Sequence, residues 1–206
     1  MTTVNFIRHA RSVYNDQGKM AGLHDPPLSE AGYREAQAAA QFLAAAVWNA
    51  AYASPLIRAR ETARVILGAR SVELQLEPAI QELDMGDFSG RAWDDVLTDF
   101  SPADRDTVTF WQLFSRDRIP NQEPYRSAVH RIMMFFARLA QAHVDQSVLV
   151  VAHKGVMEVF LSQTIGFDPS VDWFEISGAS ISTFQIAPDR RTKIVSINVR
   201  PGNLSL

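Results

Sequence analysis

The pattern of apolar and polar positions in the first 76 residues predicts strands that alternate with helices. Ser29 is a typical helix N-cap, and Ser54 with a proline after it is typical of a second helix start. On the first helix, Phe42, Leu43 and Val47 are predicted to supply part of the core face. This order of elements predicts a largely parallel sheet with helices on its faces. The predicted elements are strands at 4–7, 47–53 and 72–76, and helices from Ser29 to about Ala46 and from Ser54 to Gly68.

The second half of the chain begins with an irregular, aromatic-rich stretch and then returns to regular elements. Residues 78–124 are expected to form short helices that cover one end of the sheet. A helix is predicted at 127–142, and the unbroken apolar run at 147–151 is typical of a buried parallel strand. A further helix follows that strand, and the alternating segments 180–186 and 193–199 predict a hairpin at one sheet edge.

These elements together predict an α/β fold, a three-layer α/β/α sandwich with a mostly parallel central sheet and an inserted helical cap. A chain of 206 residues fits one rather large domain. We therefore expect a single domain over residues 1–206, with the cap at about 87–125.

Composition narrows the function classes. The chain has no cysteine, which excludes a disulfide framework, cysteine-ligated zinc and a cysteine nucleophile. Its formal net charge of −3 gives no basic field for nucleic acid, so an anion site would be a local cluster. No stretch approaches the roughly 20 apolar residues that a membrane span needs, and a signal-peptide pattern is absent. We expect a cytoplasmic protein with neither nucleic acid nor membrane as partner.

Two predicted strands end in a histidine that is followed by a turn, at His9 and His153. Open α/β sheets bind ligands at the carboxyl ends of their strands, so both histidines are expected at one rim. Arg8 precedes His9, and Arg58 lies one turn into a helix that begins at the same rim. Taken alone, the Arg8-His9 pair is as typical of an ordinary strand end as of a site, and an arginine on a helix, such as Arg58, is most often a surface residue.

The residue types in this set suit an anion better than a metal. A guanidinium fork matches phosphate, and a neutral histidine is a competent nucleophile when one ring nitrogen is held as N–H. Two histidines could also bind a metal, but neither an H-x-x-x-H motif nor a carboxylate cluster is near them in the sequence. No metal is predicted.

Five motifs, in order, resemble the histidine phosphatase superfamily, which includes cofactor-dependent phosphoglycerate mutases and broad-specificity phosphatases. A single Arg-His pair is a weak signal, whereas five ordered motifs are a strong one. The resemblance extends from the first strand to the helix after His153. The motifs are Arg8-His9-Ala10 with Asn15, Asp25 to Gly32, Ser54 to Ala63, Glu82 with Gly86 to Gly90, and Val151 to Gly155.

The resemblance implies a role for each site residue. His9 would attack phosphorus to give a phosphohistidine intermediate, and Glu82 would protonate the leaving group and then activate water. Composition alone would allow Asp84 or Asp87 in place of Glu82; the family pattern favours Glu82. The phosphoryl oxygens would be held by a set of donors: Arg8, Arg58, His153, Asn15 and the backbone N–H groups near Gly22 and Lys154.

Three residues depart from the family pattern. Ala10 stands where glycine is usual, and the extra methyl is expected to be tolerated. Arg11 stands where an acidic or amide residue is more usual, which predicts a more basic rim. Lys154 follows the second histidine where a small residue is common; an orientation toward water is slightly favoured over a part in the phosphate site. These departures affect substrate preference more than catalytic competence.

The resemblance implies a metal-independent phosphatase that acts on a small phosphorylated metabolite and needs no cofactor. One alternative is a phosphoglycerate mutase, although the segment between Glu82 and His153 is short for that type. The other is a binding module that has kept the pocket without turnover, which the retention of His9, Glu82 and both arginines disfavours. The predicted edge hairpin offers a surface for a homodimer.

Overall fold

The computed structural model describes residues 1–172 and 174–201, which form a six-stranded mixed sheet flanked by helices. The strand order is β3-β2-β4-β1-β5-β6. The first four of these strands are parallel; β5 pairs antiparallel with β1, and β6 pairs antiparallel with β5. This confirms the mixed α/β class and the edge hairpin. The strands are β1 (Thr2–Arg8), β2 (Ala50–Ala53), β3 (Leu74–Leu76), β4 (Ser147–Ala152), β5 (Ile181–Ile186) and β6 (Thr192–Val199).

Helices cover both faces of the sheet because side chains alternate between the faces along each strand. Val4 and Phe6 of β1 belong to one core cluster, and Ile7 belongs to the other. The first cluster includes the two later long helices and the second the two earlier ones, so the three layers are as predicted. The helices are α1 (Val13–Asp16), α2 (Glu30–Phe42), α3 (Ile57–Leu67), α4 (Trp93–Leu97), α5 (Phe110–Phe114), α6 (Tyr125–Ala142) and α7 (Lys154–Ile165).

The predicted core face of α2 is partly wrong. Leu43 is buried, but Phe42 is 46% exposed and Val47 is 79% exposed. The buried stripe of α2 instead runs through Gly32, Ala36 and Ala39 to Leu43, at helical spacing. Small residues on this stripe let α2 approach α3 closely.

The start of α3 also differs from the prediction. The helix begins at Ile57, with Leu56 as a cap residue that makes no side-chain hydrogen bond. Ser54 does accept a hydrogen bond from the Leu56 N–H at 3.3 Å, as a residue before a helix often does. Its hydroxyl, however, also contacts a histidine of the site described below. The predicted end of the helix at Gly68 is confirmed.

The first turn of α2 packs against the loop that follows β1. Ser29 caps the helix as predicted, accepting a hydrogen bond from the Gly32 N–H at 3.2 Å. A Cβ at position 32 would stand 2.0 Å from the carbonyl oxygen of Arg11, which is backbone and cannot move aside cheaply. Gly32 therefore sets the distance between α2 and the loop next to His9.

We expect Gly32→Ala to lower the free energy of unfolding by about 2 kcal/mol, because the added methyl overpacks this contact. Helix propensity alone would favour alanine by up to about 1 kcal/mol, so the sign of the change separates the two effects. Urea unfolding measures it, with Gln37→Ala on the exposed side of α2 as the matched control. A Gly32→Ala protein as stable as the control would contradict the packing argument.

The aromatic-rich stretch forms short helices, as predicted, and contributes to a cleft over the carboxyl ends of the central strands. Its aromatic residues divide into two groups. Phe88 and Phe114 are buried in the core and Trp93 and Phe110 line the cleft, whereas Trp111 is buried in the core and also lines the cleft. Among residues 1–172 and 174–201, no helix is long and apolar enough to cross a membrane.

Candidate active site

The register of the sheet brings the two predicted histidines together. Strands β1 and β4 are parallel neighbours, and Arg8 at the end of β1 is paired with Ala152 at the end of β4. The next residue on each strand is a histidine, and the His9 N–H donates to the Ala152 carbonyl at 2.8 Å. The ring centroids of His9 and His153 are consequently 5.0 Å apart.

The His9 ring is held in one tautomer. Its Nδ1 lies 2.7 Å from the carbonyl oxygen of Ala10, which can only accept, so Nδ1 carries the hydrogen and Nε2 keeps its lone pair. Burial, reinforced by the guanidinium groups of Arg58 and Arg8, lowers the pKa of His9 well below its usual value. His9 is therefore neutral at neutral pH, the form in which Nε2 is nucleophilic.

His153 is fully buried behind His9. Its Nε2 lies 2.8 Å from the Ser54 hydroxyl, which accepts from a backbone N–H and can donate its own hydrogen to the ring. Burial, together with Arg58, lowers the pKa of His153 well below its usual value. In the part of the chain that the structure describes, its Nδ1 has no hydrogen-bond partner.

Two arginines bring positive charge to the same place. Arg58 is fully buried, and its two terminal nitrogens donate to the carbonyls of His24 at 2.8 Å and Gly22 at 2.9 Å. Arg8 donates through Nη1 to the carbonyl of Ile176. Burial lowers the pKa of both guanidinium groups, opposed most strongly by Glu82, yet arginine stays charged in proteins.

The first loop supplies the other predicted phosphate ligands. Asn15 lines the cleft, and its Oδ1 accepts from the N–H of Ser12 at 2.9 Å, which leaves its amide NH2 group available as a donor. Gly22 does not line the cleft; its carbonyl holds Arg58, and a Cβ there would stand 2.3 Å from the Ser89 hydroxyl oxygen. The structure thus gives Gly22 a part in positioning Arg58.

Glu82 enters the site from the loop after β3, beyond a short 3-10 helix at Pro78–Ile80. Its Oε1 accepts from the Leu83 N–H at 3.0 Å, and a Cβ at Gly155 would stand 2.6 Å from that oxygen. Only glycine at the start of α7 leaves room for this carboxyl group. Burial raises the pKa of Glu82, and the nearby Arg58 opposes the rise.

Arg131 of α6 anchors the Glu82 loop, a role that the sequence did not suggest. Its guanidinium donates to the carbonyls of Ala79 and Gln81 at 2.8 Å each and to that of Glu82 at 3.3 Å. It also pairs with Glu123 at 2.6 Å. The position of Glu82 therefore depends on the packing of α6.

The cleft has a volume of about 440 Å³ and is lined by Arg8, His9, Asn15, Arg58 and Glu82, with cap residues on the other side. The acids that composition allowed in place of Glu82 do not line it. The residues that the sequence did not predict are Lys19, Met20, Ala21, Met85, Val108, Thr109, Gly155, Glu158 and Asp172.

The structure shows where the side chains of Arg11 and Lys154 lie, two of the residues that depart from the family pattern. Arg11 points away from the cleft and pairs with Asp16 at 3.1 Å, so the expected increase in rim basicity is wrong. Lys154 lines the cleft and its ammonium bonds to Asp172 at 3.1 Å, so the favoured orientation into water is also wrong. Ala10 is buried against α3, where its N–H donates to the Thr62 hydroxyl at 3.0 Å.

Several buried donors of this site lack a partner. Within residues 1–172 and 174–201, Nε of Arg8, Nε of Arg58 and Nδ1 of His153 make no hydrogen bond. Buried donors normally have hydrogen-bond partners, so three donors without a partner near His9 indicate that a ligand binds there. An oxyanion with several acceptor atoms would satisfy them together.

Comparison with known proteins assigns the family. The sequence model of the histidine phosphatase superfamily, branch 1, matches residues 4–200. The chain belongs to the histidine phosphatase superfamily. The family and the phosphatase class expected from the motifs are thereby confirmed.

Histidine phosphatase relatives cover nearly the whole chain. Phosphoserine phosphatase 1 of Hydrogenobacter thermophilus is 31% identical over 200 residues, which cover 97% of this chain and 93% of that protein. A 2,3-bisphosphoglycerate-dependent phosphoglycerate mutase of Brucella ovis is 31% identical over 174 residues, 81% and 83% of the two chains. The structure of YhfR from Bacillus stearothermophilus matches with a TM-score of 0.85 at 23% identity, over 97% and 98% of the chains, which confirms the fold.

Proposed function

We propose that the chain hydrolyses small phosphomonoesters through a phosphohistidine intermediate on His9, without a metal or a cofactor. The observation that carries this proposal is the set of three unpartnered buried donors beside a neutral histidine. A phosphoryl group offers three equatorial oxygens, and stabilising charge on them is the main task in phosphoryl transfer. The guanidinium and imidazole donors supply that positive potential from the protein itself.

In the first step, Nε2 of His9 forms a bond to phosphorus as the bond from phosphorus to the ester oxygen breaks. The Ala10 carbonyl stabilises the positive charge that develops on the ring, since Nδ1–H already donates to it. Arg8, Arg58 and His153, with the amide of Asn15, hold the oxygens while the geometry inverts. The histidine thereby splits one slow displacement into two easier steps.

Glu82 supplies the proton for the leaving group. Burial raises the pKa of Glu82, which favours the protonated carboxyl that can donate to the departing alkoxide. The resulting carboxylate then accepts a proton from the water that attacks phosphorus. As the bond from Nε2 to phosphorus breaks, inorganic phosphate and neutral His9 are released and Glu82 regains its proton.

The relatives include both a phosphatase and a phosphoglycerate mutase, so phosphoryl transfer of the mutase type is a second candidate function. The relative named phosphoserine phosphatase covers more of this chain than the relative named phosphoglycerate mutase, and we place hydrolysis first. A mutase must keep its phosphoryl group from water. A cytoplasmic location and a homodimer through the edge hairpin stay predictions.

The proposal is tested by phosphate release from p-nitrophenyl phosphate with excess chelator, from mildly acidic to neutral pH. We expect chelator-resistant, multiple-turnover release. An absence of release from this and other esters, with conversion of phosphoglycerate, would favour the mutase. Tight phosphate binding with neither reaction would favour a binding module.

Arg58→Lys is expected to lower kcat/KM for p-nitrophenyl phosphate by about 100-fold, although the charge is kept. Lysine lacks the planar guanidinium whose two terminal nitrogens donate separately to the carbonyls of His24 and Gly22. Steady-state kinetics measure the loss, with Arg64→Lys on the exposed side of α3 as the control. Equal activities of the two variants would show that the Arg58 fork is not needed.

A further inference from the structure

The cleft contains a second group of charged side chains next to the phosphate-binding end. Lys154 and Glu158 lie four residues apart on α7, and Asp172 comes from the segment that follows the helix. The Lys154 ammonium bonds to both Asp172 oxygens, at 3.2 and 3.1 Å, and stands 3.4 Å from Oε1 of Glu158. One cation thus faces two carboxyl groups.

Glu158 is the unusual member of this group. Only 8% of its surface is exposed, and it lines the cleft. Within the described residues, neither of its carboxyl oxygens accepts a hydrogen bond of good geometry. The Lys154 ammonium forms ion pairs with both Glu158 and Asp172, so two carboxyl groups share one positive charge. Buried carboxylates are rarely left in that condition unless a ligand completes them.

The surroundings of Glu158 favour a cation over an anion as that ligand. A negatively charged group would face both carboxyl groups, and Lys154 is already paired with these two carboxyl groups. The neighbouring wall of the cleft carries Phe110 and Trp111, and aromatic ring faces attract ammonium groups. Burial raises the pKa of Glu158 to about 9, with Lys154 opposing the rise and Asp172 adding to it, so a positive charge placed nearby would stabilise the carboxylate form.

The spacing along α7 limits the length of the ligand. The helix begins directly after His153, and Glu158 lies about 6 Å further along the axis than Lys154. The phosphate end is close enough for Glu158 to raise the pKa of Arg8, against the larger effect of burial. Both observations favour a short spacer, which we take as two or three carbon atoms, between a phosphoryl group on His9 and an ammonium group at Glu158.

We propose that Glu158 and Asp172 form a specificity site for the ammonium group of a short amino-alcohol phosphate, with Glu158 as the main determinant. The proposal rests on the proposed phosphatase function and names the substrate class of that site. The cleft then has a positive end for phosphate and a negative end for the amine, which matches a zwitterionic ester.

The test uses three esters with the same two-carbon spacer: phosphoethanolamine, 2-hydroxyethyl phosphate and phosphoglycolate. We expect the wild-type kcat/KM to fall in that order. The decisive quantity is the ratio of kcat/KM for phosphoethanolamine to that for 2-hydroxyethyl phosphate. In Glu158→Gln this ratio is expected to fall about tenfold, mainly through KM, because a hydrogen bond to a charged group is lost.

A general loss of activity cancels in the ratio of the two kcat/KM values within one variant. The difference between the two leaving groups cancels when that ratio is compared with the wild-type ratio. Lys154→Met removes the cation that competes for the carboxyl groups, and we expect the same ratio to rise severalfold in this variant. Thermal melting checks that both variants fold. If Glu158→Gln does not fold, the proposal is tested by the order of wild-type kcat/KM values for the three esters and by the ratio measured in Lys154→Met.

The inference is overturned if the wild-type enzyme does not prefer phosphoethanolamine, or if Glu158→Gln keeps the wild-type ratio. It is equally overturned if the ratio fails to rise in Lys154→Met. Its failure is distinguishable from failure of the proposed function, because p-nitrophenyl phosphate carries no amine. Hydrolysis of that ester without an ammonium preference would remove the specificity site and leave the phosphatase intact.

Discussion

His9→Ala is expected to lower kcat for p-nitrophenyl phosphate by at least about 1,000-fold while the protein stays folded. The nitrogen that attacks phosphorus is lost, and the second histidine at this rim, His153, is fully buried with its Nε2 hydrogen-bonded to Ser54. The remaining donors can still bind phosphate, so the loss falls on kcat more than on KM. Steady-state phosphate release and a thermal melt measure the two properties.

The matched control is His130→Ala, which removes an exposed histidine from α6. It is expected to keep the wild-type rate. A His9→Ala protein that folds and hydrolyses the ester within a few fold of the control would refute the assignment of His9 as the nucleophile.

Glu82→Gln is expected to slow hydrolysis of an alkyl phosphate by about 100-fold and that of p-nitrophenyl phosphate by less than about tenfold. An alkoxide needs a proton to leave, whereas nitrophenolate leaves well without one. Glutamine keeps the size of the side chain in a site where Gly155 leaves little room. Comparison of kcat/KM for the two esters measures the difference, and equal losses would remove Glu82 from the role of proton donor.

The pH profile gives a second readout for the same group. A general acid acts in its protonated form, so alkyl ester hydrolysis is expected to decline as pH rises through the raised pKa of Glu82. Because the pKa of His9 is lowered, protonation of the nucleophile limits the rate only at lower pH. The decline at high pH is expected to disappear in Glu82→Gln. A decline that persists unchanged in this variant would have another origin.

The strand ends of the site were predictable from sequence because they depend on local patterns. Apolar runs that end in a histidine identified β1 and β4, and parallel strands place those ends at one rim. Glu82 could be chosen over Asp84 and Asp87 only through the family resemblance. The structure adds a physical reason, since Glu82 lines the cleft and Asp84 and Asp87 do not.

Contacts between distant segments were not predictable. Arg131 reaches the Glu82 loop across 49 residues of sequence, and Asp172 meets Lys154 across 18. Nothing local in the sequence marks either pairing. The Ser-Pro pattern, which is typical of helix starts, predicts Ser54 as a simple helix cap. Its hydroxyl also contacts His153, and nothing local in the sequence indicates this contact.

The wrong prediction that Phe42 and Val47 belong to the core face of α2 has a different cause. Apolar residues near the end of a helix were assumed to face the core, but the close approach of α2 to α3 is made by Gly32, Ala36 and Ala39. A stripe of small residues carries little hydrophobic signal, although it determines the packing. Phe42 lies beside that stripe and is left partly exposed.

The proposed mechanism requires that His9 carries the phosphoryl group covalently during turnover. Rapid quenching of the enzyme with ³²P-labelled p-nitrophenyl phosphate, followed by peptide mapping under alkaline conditions that preserve phosphohistidine, tests it directly. Acid-labile label is expected on the peptide that contains His9, formed and lost at rates consistent with turnover, and none is expected in His9→Ala. Label on another residue, or steady turnover by a His9→Ala protein, would contradict it.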